Sequence, residues 1–205
     1  MKKMIGAVLM ALMMAACGDK AERSQKADMP AEKPSTPEAK KAVAPAWANL
    51  NEAIAATLPE MTDIQGASLD AGSAKLAVLG YNLFTWQDIQ AVASTKHGLV
   101  MKDSDAERGK RLCAAGSVIE IEKDRSVPGK SIFNGGMFDD SGKLYRFISV
   151  KSTGEIMANS RARFCGIVTG QMHYQNSAGG TAHAVHLVGM FDLPENNPKT
   201  TGKSK

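Results

Sequence analysis

The sequence predicts an α+β fold, with helices in the earlier part of the chain and a five-stranded antiparallel β-domain in the later part. Three observations predict it. Apolar residues recur at helical spacing between residues 45 and 108. From residue 110 the pattern changes to alternation, in five spans separated by turn-forming residues. The stretch before residue 45 carries Pro30, Pro34 and Pro37 and no aromatic after the first apolar run, so it has too little apolar surface to join either part.

The helical segment is residues 45–108. Pro45 suits a first helical turn, and Trp47, Leu50, Ile54 and Leu58 recur on one side of a short helix ending near Pro59. A second helix covers residues 71–83, with Leu76, Leu79 and Leu83 on one side. A third starts at Thr85, which forms a capping-box pattern with Asp88 and is followed by Ile89 and Val92. Trp47 and Trp86 stand at core positions of this pattern. Residues 97–109 are polar. Asp103, Asp105 and Glu107 alternate as the ligands of a hard cation do, but a calcium loop needs more oxygens and a glycine at its turn. A solvated connection is the expectation there.

The β-segment is residues 109–192. Its first strand covers 110–123, with Gly116 marking a bulge or bend and Ile119 and Ile121 alternating with Glu120 and Glu122. A turn around Pro128-Gly129 leads to a second strand at 131–138. Asp139-Asp140-Ser141-Gly142 is a hairpin loop. The third strand, 143–150, puts Tyr145 and Phe147 on one face. Residues 151–160 connect to the fourth strand, 161–174, in which Ala162, Phe164, Val168, Met172 and Tyr174 share a face. A second hairpin loop at 176–180 leads to the fifth strand, 181–191, with Val185, Leu187 and Phe191 inward. Short strands at this spacing make a small barrel or a sandwich. Residues 193–205, with Pro194 and Pro198, are tail.

The first residues carry an address. Lys2 and Lys3 precede an uncharged apolar run at residues 4–16, which ends on Ala15-Ala16 and is followed by Cys17-Gly18-Asp19. This is secretory-signal anatomy. The run is shorter than the roughly 20 residues a membrane-crossing helix needs. A cysteine directly after two small residues resembles the lipobox of bacterial lipoproteins, with Met14 where that family most often has Leu. The resemblance implies that residues 1–16 are removed as signal peptide and that Cys17 is diacylated and becomes the new N-terminus. Gly18 after it implies the outer membrane in a diderm host. The plainer alternative is an ordinary cleaved signal. Residues 17–44 then form a Pro/Ala/Lys linker between the anchor and the folded domain.

Removal of Lys2 and Lys3 brings the formal charge from +4 to +2. Both signs are interspersed along the chain, which is not the clustered basic face of a nucleic-acid binder. Setting Cys17 aside leaves Cys113 and Cys165. An even number of cysteines in an exported chain implies a disulfide.

The runs GKRLCAAGSVIEIEK and FCGIVTG, with the returning strand, are similar to the OB-like domains related to the tRNA-anticodon-binding barrel. The similarity covers residues 109–191. It implies an OB-like β-barrel after the N-terminal helices, and it places Cys113 and Cys165 on neighbouring strands at barrel closure. It also implies oligonucleotide or oligosaccharide binding, and the positions matching the family's binding surface are Lys143, Tyr145, Arg146 and Phe147. An exported location argues against nucleic acid.

Other chemistry is not signalled. His183 and His186 are three apart, which on a strand puts them on opposite faces. His173 can approach one of them across the hairpin, giving two ligands where a structural zinc takes four. No metal and no cofactor is expected. The sequence has no Gly-x-Ser-x-Gly elbow, Walker loop or Gly-x-Gly-x-x-Gly motif. The expectation is a non-enzymatic binding or scaffold module, held to the membrane by its lipid and contacting envelope protein or glycan. The alternatives are an envelope hydrolase with an unrecognised site and an OB-type oligosaccharide or oligonucleotide binder.

Overall fold

The computed structural model describes residues 47–66, 68–175 and 178–197. The expected signal, Cys17, the linker and the end of the tail lie outside the described residues.

Helix α1 (Leu50–Thr57) starts later than Pro45 suggests, because Asn49 caps it: Asn49 Oδ1 accepts from Glu52 N at 3.0 Å. Glu52 in turn accepts from Asn49 Nδ2 at 2.9 Å and from Ala48 N at 3.0 Å. Helix α2 (Ala71–Leu83) is capped by Asp70, which accepts from Ser73 N at 2.8 Å. Its buried face is Gly72, Ser73, Leu76, Ala77 and Gly80, so the small residues go inward and Leu79 and Leu83 flank them. Gly72 is required there: a Cβ would lie 2.6 Å from the Met61 backbone. Helix α3 (Trp86–Ala91) begins at the predicted cap, with Thr85 Oγ1 accepting from Asp88 N at 3.2 Å. Trp86 is buried, and Trp47 packs partly buried against the same core.

The expected connection at 97–109 is instead two short helices, α4 (His97–Lys102) and α5 (Ser104–Glu107). Each is too short for a period to show, and α4 buries one large apolar residue, Val100. The acids there have structural roles. Asp103 caps α5, and Asp105 and Glu107 pair with Arg108 and Lys110.

The strands are β1 (Ile64–Gln65), β2 (Arg111–Lys123), β3 (Phe133–Asp139), β4 (Leu144–Ser149), β5 (Arg161–Gln175) and β6 (Thr181–Phe191). They form one mixed sheet in the order β1-β5-β2-β3-β4-β6, and β5 also pairs with β6, so the last five strands ring round. The strand count is six rather than five, since β1 adds a short parallel edge to β5. The expected all-antiparallel arrangement is also corrected, because β4 and β6 run parallel. An odd number of strands cannot alternate direction all the way round a ring, so at least one neighbouring pair must be parallel.

Two apolar clusters follow from the alternation of strand side chains. Inside the ring, Phe147, Phe164 and Phe191 meet with centroids 4.9–5.1 Å apart, together with Met137, Leu187 and Val168. On the outer face, Ile148, Ile167, Val188 and Met190 receive Leu50, Ile54, Leu76 and Ile89 from the helices.

Cys113 and Cys165 are direct register partners and form a disulfide, with Cα atoms 4.1 Å apart. Arg111 donates its N–H to Ala93 O and accepts from Thr95 N at its carbonyl, so it turns its backbone away from β5. Two residues on, Cys113 does the same, which makes the cysteines a non-hydrogen-bonded pair, the closer type.

Two irregularities steer side chains. Gly116 is not the bulge. It allows close strand approach, since a Cβ would lie 2.0 Å from Phe138 O. The β2 bulge falls between Val118 and Glu120. A second bulge, between Val168 and Gly170, divides β5. Gly170 has φ +150, and a Cβ would lie 2.8 Å from Asp63 Oδ1. The bulge reverses the facing of later residues. Phe164 and Val168 point into the ring, whereas Met172 and Tyr174, expected on the same face, line the outside.

Candidate functional site

The site is built where the outer face of the ring runs past the helices. On β4, Tyr145 and Phe147 turn inward and Arg146 turns outward, as strand alternation requires. Register then sets a row of residues across the sheet. Glu120 is opposite Gly136, Gly136 is opposite Arg146, and Arg146 is opposite His186. Gly136 leaves the middle of this row open: a Cβ would lie 3.0 Å from Arg146 Nη1 and 3.3 Å from the Ile119 side chain. Across that gap Arg146 forms an ion pair with Glu120.

Glu120, Arg146 and His186 of this row form the floor of a groove of about 510 Å³, within the size range of small-ligand sites. Its walls are apolar: Leu69 from the segment before α2, Ile119 from the β2 bulge, Ile148 and Met172. Leu69 and Ile119 are 40% and 41% exposed, so two large apolar side chains stand at its rim in water. Its polar groups are few: Asn134, Glu120, Arg146, Tyr174 and His186.

The electrostatics of the floor come from burial. Burial lowers the pKa of Arg146, and Tyr174 opposes this. His186 is 3% exposed, and its ring Nδ1 lies 2.6 Å from Thr169 Oγ1, which shares one hydrogen with it. Burial pushes His186 down to about 4; Asp70 works against this and Arg146 adds to it. The imidazole is therefore neutral at pH 7, a hydrogen-bonding group rather than a second cation. The arrangement offers one guanidinium, neutral donors and acceptors, and apolar walls. Among the described residues that line the groove, no nucleophile is paired with a base.

The four residues expected to form a binding surface are divided by the fold. Arg146 lines the groove. Tyr145 is 4% exposed and donates its hydroxyl to Asp139 Oδ2 at 3.0 Å. Phe147 belongs to the inner aromatic cluster, with at most its edge at the groove. Neither ring is presented for stacking. Lys143 is exposed at the β3–β4 hairpin, where its backbone N donates to Asp139 Oδ1 at 2.9 Å. The groove adds Glu120, Asn134, Tyr174 and His186, which single-strand patterns do not single out. Their meeting depends on both bulges and on the parallel β4–β6 pair.

Among the described residues no helix is long and apolar enough to cross a membrane. No family model and no curated protein matches the chain.

Proposed function

We propose that this chain is an exported, lipid-anchored binding module of the cell envelope, and that the groove floored by Arg146 is its binding surface. The groove carries the reading: a cleft of about 510 Å³ with apolar walls and a few convergent polar groups is what a recognition site requires. The Cys113–Cys165 disulfide supports an oxidising compartment. The signal anatomy and Cys17 support a lipid tether.

We read the ring β2-β3-β4-β6-β5 as an OB-like barrel, a meander of three strands closed by a parallel pair. The face of its second and third strands is where OB-folds bind oligosaccharides and oligonucleotides, and Asn134 and Arg146 stand on β3 and β4. That position favours an envelope glycan or an extended peptide as ligand. The hydrolase reading has less behind it, since the hydroxyl beside His186, that of Thr169, is fully buried and does not line the groove.

A photo-crosslinking residue at Ile119, on the groove rim, tests the proposal in intact cells. The expected outcome is capture of a defined envelope component at position 119 and not at Met157, which is exposed elsewhere. Equal capture at both positions, or none at 119, contradicts it.

A further inference from the structure

We propose that His173 and His183 form a two-imidazole site for a late first-row divalent cation, Zn²⁺, Ni²⁺ or Cu²⁺, on the β5–β6 hairpin away from the groove. The two residues are direct register partners on antiparallel strands. Gly66 N donates to His173 O at 2.8 Å, so His173 turns its backbone toward β1 and away from β6. The His173–His183 pair is therefore non-hydrogen-bonded, the type that brings facing side chains closest. The rings have taken up that proximity. Their centroids lie 4.7 Å apart at 75°, and Nδ1 faces Nδ1 at 2.6 Å.

Two ring nitrogens at that distance share one proton between two lone pairs. A divalent cation takes the place of that hydrogen: the donor ring carries its proton on Nε2 instead, so both rings stay neutral and both Nδ1 lone pairs face the ion. Nitrogens at about 2.0–2.1 Å from a tetrahedral ion lie roughly 3.3 Å apart. Reaching that separation from 2.6 Å needs a movement of less than about 1 Å. Both side chains are accessible, His183 exposed and His173 partly so, and the site has an open approach. Imidazole ligands select late first-row ions over magnesium and calcium, which take oxygen.

Among the described residues no group of three or more His, Cys, Asp and Glu is placed to hold a metal. Water therefore completes the coordination, and the ion is exchangeable rather than structural. Gln65 is aligned with His173 across the parallel β1–β5 pair and stands on the same row.

The test uses the untagged full-length chain, titrated calorimetrically with ZnCl₂ and with NiCl₂, and with MgCl₂ as the oxygen-seeking control. The expected result is one site per chain for zinc and nickel and none for magnesium. His173→Asn and His183→Asn each weaken binding by about 100-fold, because the loss of either ring removes the bivalent gain. Independently of any variant, Ni²⁺ broadens the amide signals of residues flanking positions 173 and 183 first in the wild type. Unchanged affinity in both variants, broadening centred elsewhere, or no zinc or nickel binding overturns the proposal.

Discussion

Tyr145 and Arg146 are adjacent on one strand, and burial acts on them in opposite ways. Tyr145 has its phenol inside the ring and donates to Asp139. Burial, with the nearby Asp139 carboxylate, raises its pKa above the ordinary phenol range. Ultraviolet titration should show Tyr145 still protonated at pH values where an exposed tyrosine has ionised. His186 gives a dependence at the acid end. Its folded value of about 4 lies below its ordinary 6.5. The unfolded chain then binds the proton more readily, so stability falls as pH drops from about 6.5 to about 4. The loss is on the order of 3 kcal/mol. Urea unfolding across that range should show the slope, and His186→Gln should flatten it. An unchanged slope in the variant would assign the effect to another group.

Asp63 shows what one residue does for several elements. It accepts from Ser104 Oγ at 2.9 Å, Arg108 Nη2 at 2.8 Å and Gln171 N at 2.8 Å. It thereby ties the β1 segment to α5 and to the bulge of β5. Burial pushes its carboxyl upward, but these bonds outweigh burial and hold it below its ordinary value. Asp63→Ala should destabilise by about 2–4 kcal/mol, since it leaves a largely buried guanidinium and a backbone N–H short of a partner. Asp105→Ala removes the same arginine's other acidic partner, which is 81% exposed. That variant should cost less than about 1 kcal/mol. Urea midpoints of the two variants, measured side by side, check the contrast.

The elements differ in how far they could be read from sequence. Thr85 and Asp88 announce their helix through a local exchange of hydrogen bonds, and β2 to β6 appear at or near their predicted bounds because alternation is also local. Helices α4 and α5 escape because two short turns with one buried apolar anchor leave no period. The groove escapes for a different reason. Register across β4 and β6 joins Arg146 to His186, and the bulge at Gly170 moves Met172 and Tyr174 to its side. Neither relation exists within any one strand. Of the residues expected to bind, Arg146 alone faces the groove with its whole side chain, and Tyr145 and Phe147 follow the inward alternation that makes them core.

At the scale of the whole molecule, the described residues form a ring of strands, stapled between β2 and β5 by a disulfide, with a groove on its outer face, and the proposed function adds an export address in residues 1–17. The disulfide links positions 52 residues apart, and closing such a loop stabilises by roughly 4 kcal/mol in the chain-entropy picture. Reduction, or the Cys113→Ala/Cys165→Ala pair, should lower the urea midpoint accordingly. Alkylation of unreduced, denatured protein should find neither thiol free. In the proposed function, a tether at Cys17 decides whether the groove meets an envelope ligand. The most direct measurement is growth of expressing cells on radiolabelled palmitate, followed by fractionation of the wild type and of Cys17→Ser. Label is expected in the wild type, recovered with the membrane, and none in the variant. Equal labelling of the two, or an uncleaved and unlabelled wild-type chain in the cytoplasm, would contradict the proposed tether.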